Sequence, residues 1–234
     1  MKLVIGGSTG FVGSELVRQA LVHPSITSII ALSRRETPLP PDSSKLKEIV
    51  CDDFENYTSH VKKELESADA CIWAIAVTPV KLKTTSLEDA AKISRDYATT
   101  AIQTLASLKR NPGKPLRFVY VSGHVAPRNP AEVPKELADA GLINYGLMRG
   151  DAELRILEYA RQSGGAVEAC VVKPGVIDSP DREKRIVPGI PNIERHDFVS
   201  VLLDQTTNGF EKDTLRNDDM IRIYRKILAK YRDL

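Results

Sequence analysis

Long hydrophobic runs and a surplus of either charge are both missing from this sequence of 234 residues. No apolar run approaches the roughly 18 residues that a membrane-spanning helix needs, so we expect no membrane partner. Lysine and arginine number 33 against 31 aspartate and glutamate, which leaves a net charge of +2. That balance gives no electrostatic reason to expect nucleic acid or an anionic membrane as the main partner.

Cysteine is scarce as well, with only Cys51, Cys71 and Cys170 in the whole chain. Their odd number and wide spacing do not suggest a disulfide framework, and we expect small core residues of a reduced protein and no metal site. The first strand is predicted to begin at Lys2, and we therefore expect no signal peptide before it. These features together predict a cytoplasmic location.

The remaining composition is that of an ordinary globular protein, with 42% hydrophobic and 27% charged residues. A chain of this length buries roughly 70% of its unfolded surface, so its core needs no disulfide or metal. The length suits one large domain over residues 1–234 better than two independent domains.

Short apolar runs alternate along the chain with longer amphipathic stretches, which is typical of a parallel sheet covered by helices. The predicted strands are Lys2–Ile5, Ser28–Leu32, Ile49–Val50, Ala70–Val77, Leu116–Ser122 and Val167–Lys173. The predicted helices between them are Phe11–Val22, Tyr57–Ser67, Leu87–Lys109 and Tyr145–Gln162. This order predicts an α/β fold with a Rossmann-like, doubly wound parallel sheet.

The alternation ends after Pro174, and residues 177–234 are predicted to form a small C-terminal helical and lid region. The segment Asp178–Asn192 combines prolines with mixed charge and lacks any period, so we expect a loop that covers the substrate. Two closing helices are predicted at His196–Leu203 and Leu215–Tyr231.

A glycine-rich turn connects the first predicted strand to the first helix. Its candidate cofactor-binding residues are Gly7, Ser8, Thr9, Gly10, Phe11, Val12 and Gly13. A strand, a turn and a helix in this order direct backbone N–H groups and a helix N-terminus at a diphosphate. Glycine is needed where φ is positive and where the backbone approaches the phosphate. This turn predicts a dinucleotide cofactor.

Two arginines follow the second strand, where an NAD-specific site usually places an acidic residue on the adenosine ribose. The guanidinium groups of Arg34 and Arg35 suit a 2′-phosphate, which predicts NADP(H). Two solvated arginines without a ligand are the alternative. Asp52 and Asp53 follow the third strand, where one of them could reach the adenine amino group or both could form a turn.

Four segments, taken with the glycine turn, resemble the atypical branch of the short-chain dehydrogenase/reductase superfamily that is related to Tat-interacting protein and fungal mitochondrial homologues. They are Ser94-Arg95-Asp96-Tyr97, Val119-Tyr120-Val121-Ser122, Tyr145-Gly146-Leu147-Met148-Arg149-Gly150 and Lys173-Pro174-Gly175. The resemblance extends over about residues 1–205. It implies the same Rossmann fold and an NADP(H)-dependent oxidoreductase that acts on a small carbonyl or alcohol substrate.

The resemblance also implies roles for individual residues. Tyr145 would protonate the carbonyl oxygen as hydride arrives, and Ser122 would hydrogen-bond the same oxygen. Lys173 and Pro174 would lie at the nicotinamide end of the cofactor. Arg149 stands where the superfamily has a lysine that holds the nicotinamide ribose and lowers the tyrosine pKa.

Arginine at this position leaves three functions open. Its charge could still support Tyr145 in a reductase, or its larger planar group could fill the ribose site and leave a non-redox isomerase or cyclase. A cofactor-binding regulatory protein without turnover is the third alternative. His124, beside the proline-containing stretch 125–144, is either an additional acid–base group or an ordinary loop residue. Whether the chain acts alone or as a homodimer also stays open.

Overall fold

The computed structural model describes residues 1–36, 43–110 and 112–232 of the chain, and the side chains of all of these except 231 and 232. Within these ranges, no helix has the length and apolar character to cross a bilayer.

In the described part of the chain, the central sheet contains the parallel strands β1 (Lys2–Gly6), β2 (Ser28–Ser33), β3 (Leu46–Val50), β4 (Ala70–Trp73), β5 (Leu116–Val121), β6 (Val167–Lys173) and β9 (Thr214–Arg216). These seven strands lie in the order β3-β2-β1-β4-β5-β6-β9. A separate parallel pair joins β7 (Val176–Asp178) to β8 (Asn192–Glu194). The central strands β1 and β4 are almost fully buried because helices cover both faces of the sheet.

Eight α-helices flank the sheet within the described residues. They are α1 (Phe11–Val22), α2 (Ser59–Leu65), α3 (Leu87–Ala91), α4 (Tyr97–Ser107), α5 (Lys135–Asp139), α6 (Ile143–Gln162), α7 (Arg195–Asn208) and α8 (Asn217–Arg232). Helices α2, α4 and α6 pack on one face of the sheet, and α1, α7 and α8 pack on the other. The Rossmann-like, doubly wound α/β fold is therefore confirmed.

The C-terminal region contains short strands that the sequence pattern did not predict. Strand β9 pairs with β6 in parallel and puts the fully buried Leu215 into the core, so the last helix begins at Asn217 and not at Leu215. The predicted lid segment Asp178–Asn192 is closed at its base by the β7–β8 pair. Strands of three residues are too short for their side-chain alternation to stand out from a loop.

The long helix predicted at Leu87–Lys109 consists of α3, a π-helical turn at Lys92–Asp96, and α4. Ser94 in the π turn is fully buried and bonded on both sides. Its hydroxyl oxygen accepts a hydrogen bond from the Val77 amide at 2.9 Å, and its carbonyl accepts one from the Tyr120 hydroxyl at 2.7 Å. Such turns are often found at functional sites, and this one fixes the segment that follows β4.

Candidate functional site

The candidate site lies at the carboxyl edge of the sheet, between β1 and β4. The chain proceeds from β1 outward to β2 and β3, then crosses to β4 on the opposite side of β1. Open α/β sheets bind their ligands in the crevice that this reversal creates. The strand predicted at Ala70–Val77 ends at Trp73. The Ala74 amide still donates to the Gly6 carbonyl at 2.9 Å, and residues 74 and 75 lie beside Gly7.

The glycine turn forms a close-packed cradle at the end of β1. Gly7 has φ of 86°, a conformation that favours glycine. A Cβ atom on Gly13 would lie 2.0 Å from the Gly7 carbonyl oxygen, so α1 can approach the turn only with glycine there. The start of α1 has neither a side-chain cap nor an acidic residue in its first turn. Its free N–H groups therefore fit the diphosphate of a dinucleotide.

The other predicted residues of the turn differ in exposure. Ser8 is fully buried, whereas Thr9 and Gly10 are exposed at the mouth of the crevice. Phe11 is partly exposed, and Val12 packs against the core beneath α1. The exposed backbone at Thr9 and Gly10 is thus the part of the turn that a ligand can reach.

The adenosine end of the crevice is formed by the segments after β2 and β3. Arg34 and Arg35 are both exposed directly beyond β2. Asp53 accepts hydrogen bonds from the Glu55 amide at 2.8 Å and from the Asn56 side chain at 3.0 Å. These two bonds lower the pKa of Asp53 and give it the turn-forming role, whereas Asp52 is exposed beside it.

Tyr145 and Arg149 lie one turn apart on α6, where Tyr145 binds the segment that follows β4 and Arg149 binds the end of β5. The Tyr145 hydroxyl donates to the Val77 carbonyl at 2.8 Å, and Nη2 of Arg149 donates to the Val121 carbonyl at 2.9 Å. Burial raises the pKa of Tyr145 above its usual value, and the charge of Arg149 opposes that rise.

Arg149 also carries a second guanidinium nitrogen, Nη1, that is buried. Its side chain is buried, its guanidinium carbon lies 5.3 Å from the centroid of the Tyr120 ring, and among the described residues Nη1 has no hydrogen-bond partner. A buried donor without an acceptor is costly, which fits a site that a ligand hydroxyl completes. The glycine cradle and this donor together fit a dinucleotide with its nicotinamide ribose toward α6.

Ser122 belongs to a charged cluster, which we define as the buried residues Ser122, Glu153 and Lys173 together with the partly exposed Arg128. Glu153 is fully buried and accepts a hydrogen bond from the Ser122 hydroxyl at 2.5 Å. It also binds Nζ of Lys173 at 2.7 Å and Nε of Arg128 at 2.7 Å. The cluster thereby ties the end of β5 to α6, to β6 and to the loop after β5.

The structure places the Lys173 side chain in this cluster. Its ammonium has three donors, and they meet both carboxylate oxygens of Glu153 and the Ala126 carbonyl. Burial lowers the pKa of Lys173, and Glu153 opposes that change. Sequence reasoning missed Glu153 and Arg128, although Glu153 follows Arg149 by one helical turn and so shares its face of α6.

Pro174 and His124 connect the neighbouring loops. Pro174 is buried, and its carbonyl accepts a hydrogen bond from the His124 amide at 2.8 Å. Burial, assisted by Arg216 and Lys173, lowers the pKa of His124, and within the described residues its buried Nδ1 has no partner. The imidazole of His124, two residues after Ser122, is therefore uncharged at neutral pH.

Two curated fungal proteins are similar to parts of this chain. "Protein FMP52, mitochondrial" from Candida albicans is 27% identical over 136 residues, which cover 53% of this chain and 58% of that protein. "Leucinostatins biosynthesis cluster protein T" from Purpureocillium lilacinum is 30% identical over 122 residues, which cover 52% of this chain and 42% of that protein. The chain thus spans about half the length of these relatives.

Solved structures with the same fold hold NAD. The dTDP-glucose 4,6-dehydratase DesIV from Streptomyces venezuelae, with NAD and TYD bound, superposes with a TM-score of 0.70 at 15% identity, covering 98% of this chain and 81% of that one. UDP-glucuronic acid 4-epimerase from Bacillus cereus, in complex with UDP-glucuronic acid and NAD, gives 0.66 at 15% identity, covering 98% and 83%.

The family comparison covers nearly the whole chain. The sequence model described as "NAD dependent epimerase/dehydratase family" matches residues 3–233, which include the glycine turn, Ser122, Tyr145 and Arg149. By that match, the chain belongs to the NAD-dependent epimerase/dehydratase family.

Proposed function

We propose that this chain is an NADP(H)-dependent oxidoreductase that acts on a small carbonyl or alcohol substrate. One observation carries the proposal: Tyr145 and the buried Arg149, with its unused donor, lie at the carboxyl edge of the sheet beside Ser122. The cofactor would supply the hydride when bound. The residues of the glycine turn would hold its diphosphate, and Nη1 of Arg149 would donate to a hydroxyl of its nicotinamide ribose.

Tyr145 acts in this proposal as the proton donor to the carbonyl oxygen. Its hydroxyl exchanges the Val77 carbonyl, an acceptor at 2.8 Å, for the substrate oxygen. Because burial raises the pKa of Tyr145, the hydroxyl keeps its proton at neutral pH and is available as a general acid.

Ser122 is the second partner of the substrate oxygen. Its hydroxyl must first leave Glu153, which retains the charged groups of Lys173 and Arg128 as partners. Glu153 can therefore release the serine without becoming an unpaired buried charge. Glu153 and Lys173 act as positioning residues, since they contact the end of β5 and the adjoining loop.

The preference for NADP(H) rests on Arg34 and Arg35, which are exposed after β2 where an acid would favour NAD. A charge-assisted hydrogen bond contributes about 1.5–3 kcal/mol, which is about one to two decades in Kd. Calorimetry should show tighter binding of NADPH than of NADH, and Arg34→Ala should weaken NADPH binding alone. Equal Kd values for the two cofactors in the wild type would remove the NADP(H) assignment.

The reaction is tested by following NADPH absorbance with a panel of aldehydes, ketones and quinones. Tyr145→Phe should abolish turnover and spare cofactor binding, because only one hydroxyl is lost. Tyr159→Phe, on the same helix but packed against the core, is the matched control and should retain turnover. Arg149→Lys should keep or raise activity, since lysine restores the compact ammonium of the superfamily. Turnover that persists in Tyr145→Phe would contradict the tyrosine assignment.

The family description favours a second candidate, an isomerisation or elimination in which the cofactor ends unchanged. Such an enzyme would form product without a net change in NADPH absorbance, and Tyr145→Phe would stop product formation. A regulatory protein would bind the cofactor but would neither form product nor change the NADPH absorbance. The likeness to FMP52 supports a place in the atypical branch of the short-chain dehydrogenase/reductases. The free, buried thiols of Cys51, Cys71 and Cys170 support a reducing compartment such as the cytoplasm.

A further inference from the structure

Two arginines from the C-terminal region meet on a single ring of the glycine turn. The guanidinium carbon of Arg182 lies 4.0 Å from the centroid of the Phe11 ring, and that of Arg195 lies 4.7 Å from it. Nη1 of Arg195 also approaches the Phe11 carbonyl at 3.5 Å. The loop predicted to cover the substrate contributes Arg182, and the start of α7 contributes Arg195, so both place positive charge against the glycine turn.

Phe11 marks the end of α1 at which an anion is favoured. It is the first residue of the helix, directly after Gly10, and the first turn contains no acidic residue. The helix dipole and the free N–H groups of this turn already favour negative charge. Two guanidinium groups that contact the same ring add to that field at the same place.

The positive charge of this arginine pair is only partly compensated by the protein. Nη2 of Arg195 lies 3.5 Å from Asp181, whose carboxylate also accepts from the Ser179 hydroxyl. Within the ranges that the structure describes, Arg182 has no carboxylate within ion-pair distance, and its guanidinium donates no hydrogen bond to the protein. The Arg182 amide bonds to the Ser179 carbonyl at 3.0 Å, which holds the backbone in a turn.

From these contacts we infer that Arg182 and Arg195 form a clamp on the diphosphate of the dinucleotide, an inference that rests on the proposed function. Planar guanidinium groups bind phosphate oxygens with paired hydrogen bonds, and stacking on Phe11 holds them in place before the ligand arrives. The clamp contacts the diphosphate, which NADH and NADPH have in common. It therefore adds affinity for both cofactors and leaves the choice between them to Arg34 and Arg35.

The test is calorimetry of NADPH, NADH, ADP and adenosine with the wild type, Arg182→Ala and the control Arg185→Ala. Arg185 lies in the same loop, is exposed and bears the same charge, but it is not one of the two arginines stacked on Phe11. Arg182→Ala should raise the Kd of ADP and of both dinucleotides about tenfold, leave adenosine unchanged and reduce the salt dependence of binding. Arg185→Ala should leave every Kd within about twofold of the wild type.

Each alternative result has a distinct meaning. Unchanged dinucleotide affinity in Arg182→Ala overturns the clamp and leaves the proposed function intact. A loss confined to NADPH also overturns it, because that pattern belongs to a contact with the 2′-phosphate. A wild type that binds neither dinucleotide overturns the proposed function itself. Arg195→Ala provides the second variant, and an equal thermal midpoint of the free proteins excludes unfolding as the cause of weaker binding.

Discussion

Glu153 offers the sharpest test of how this fold holds its candidate site. The carboxylate is fully buried and contacts Lys173, Arg128 and the Ser122 hydroxyl. In the variant Glu153→Gln the side chain keeps its shape and loses its charge. The Lys173 ammonium then stays buried without a carboxylate to balance its charge, and its remaining acceptors are the Ala126 carbonyl and the amide oxygen of the new glutamine.

The expected loss of stability follows from that stranded charge. Removing one partner of a buried ion pair costs about 3–5 kcal/mol in the free energy of unfolding. For a chain of this length, such a loss lowers Tm by about 6–20 °C. Because burial already lowers the pKa of Lys173, the variant lowers it further, and the unfolded chain binds more protons than the folded one. Raising the pH toward 9 should therefore restore part of the lost stability.

Urea denaturation followed by circular dichroism measures this loss directly. Glu158→Gln is the matched control, because Glu158 pairs with Arg161 on the exposed face of the same helix. This variant should leave the midpoint of urea unfolding unchanged. The double variant Glu153→Gln/Lys173→Met should lose less stability than the sum of the two single variants. A loss below about 1 kcal/mol in Glu153→Gln, or strict additivity, would refute the reasoning.

Three further outcomes are expected. Gly13→Ala should weaken dinucleotide binding and lower Tm, because the new Cβ would lie 2.0 Å from the Gly7 carbonyl oxygen; calorimetry and thermal unfolding measure both effects. Hydrogen bonding from Arg18 lowers the pKa of Glu15 from 4.5 to about 2. As the pH falls through that range, the free energy of unfolding should therefore decrease by on the order of 1 kcal/mol more in the wild type than in Glu15→Gln, which urea denaturation at each pH measures. The tyrosinate absorbance difference between wild type and Tyr145→Phe should titrate above pH 10, and a transition near pH 7 would contradict the buried hydroxyl.

The sequence by itself determined the sheet and the glycine turn. Strands buried on both faces consist mostly of apolar residues, so β1, β4 and β6 can be predicted from their own sequences, with polar residues in β1 and β6 only at or near their ends. The spacing of Gly7, Gly10 and Gly13 is equally local, because φ and the close approach of α1 to the turn depend on neighbouring residues. The order of these elements then leaves few topologies to consider.

The tertiary structure alone decided which charges meet. Glu153, Lys173 and Ser122 come from α6, β6 and the end of β5, and Arg182 reaches Phe11 across most of the chain. Local periodicity carries no information on such pairs, because their distances depend on how packed helices and strands place side chains that are remote in sequence. Lys173 shows the difference: its place at the end of a strand was readable, whereas its buried partner was set by the packing of α6 against the sheet.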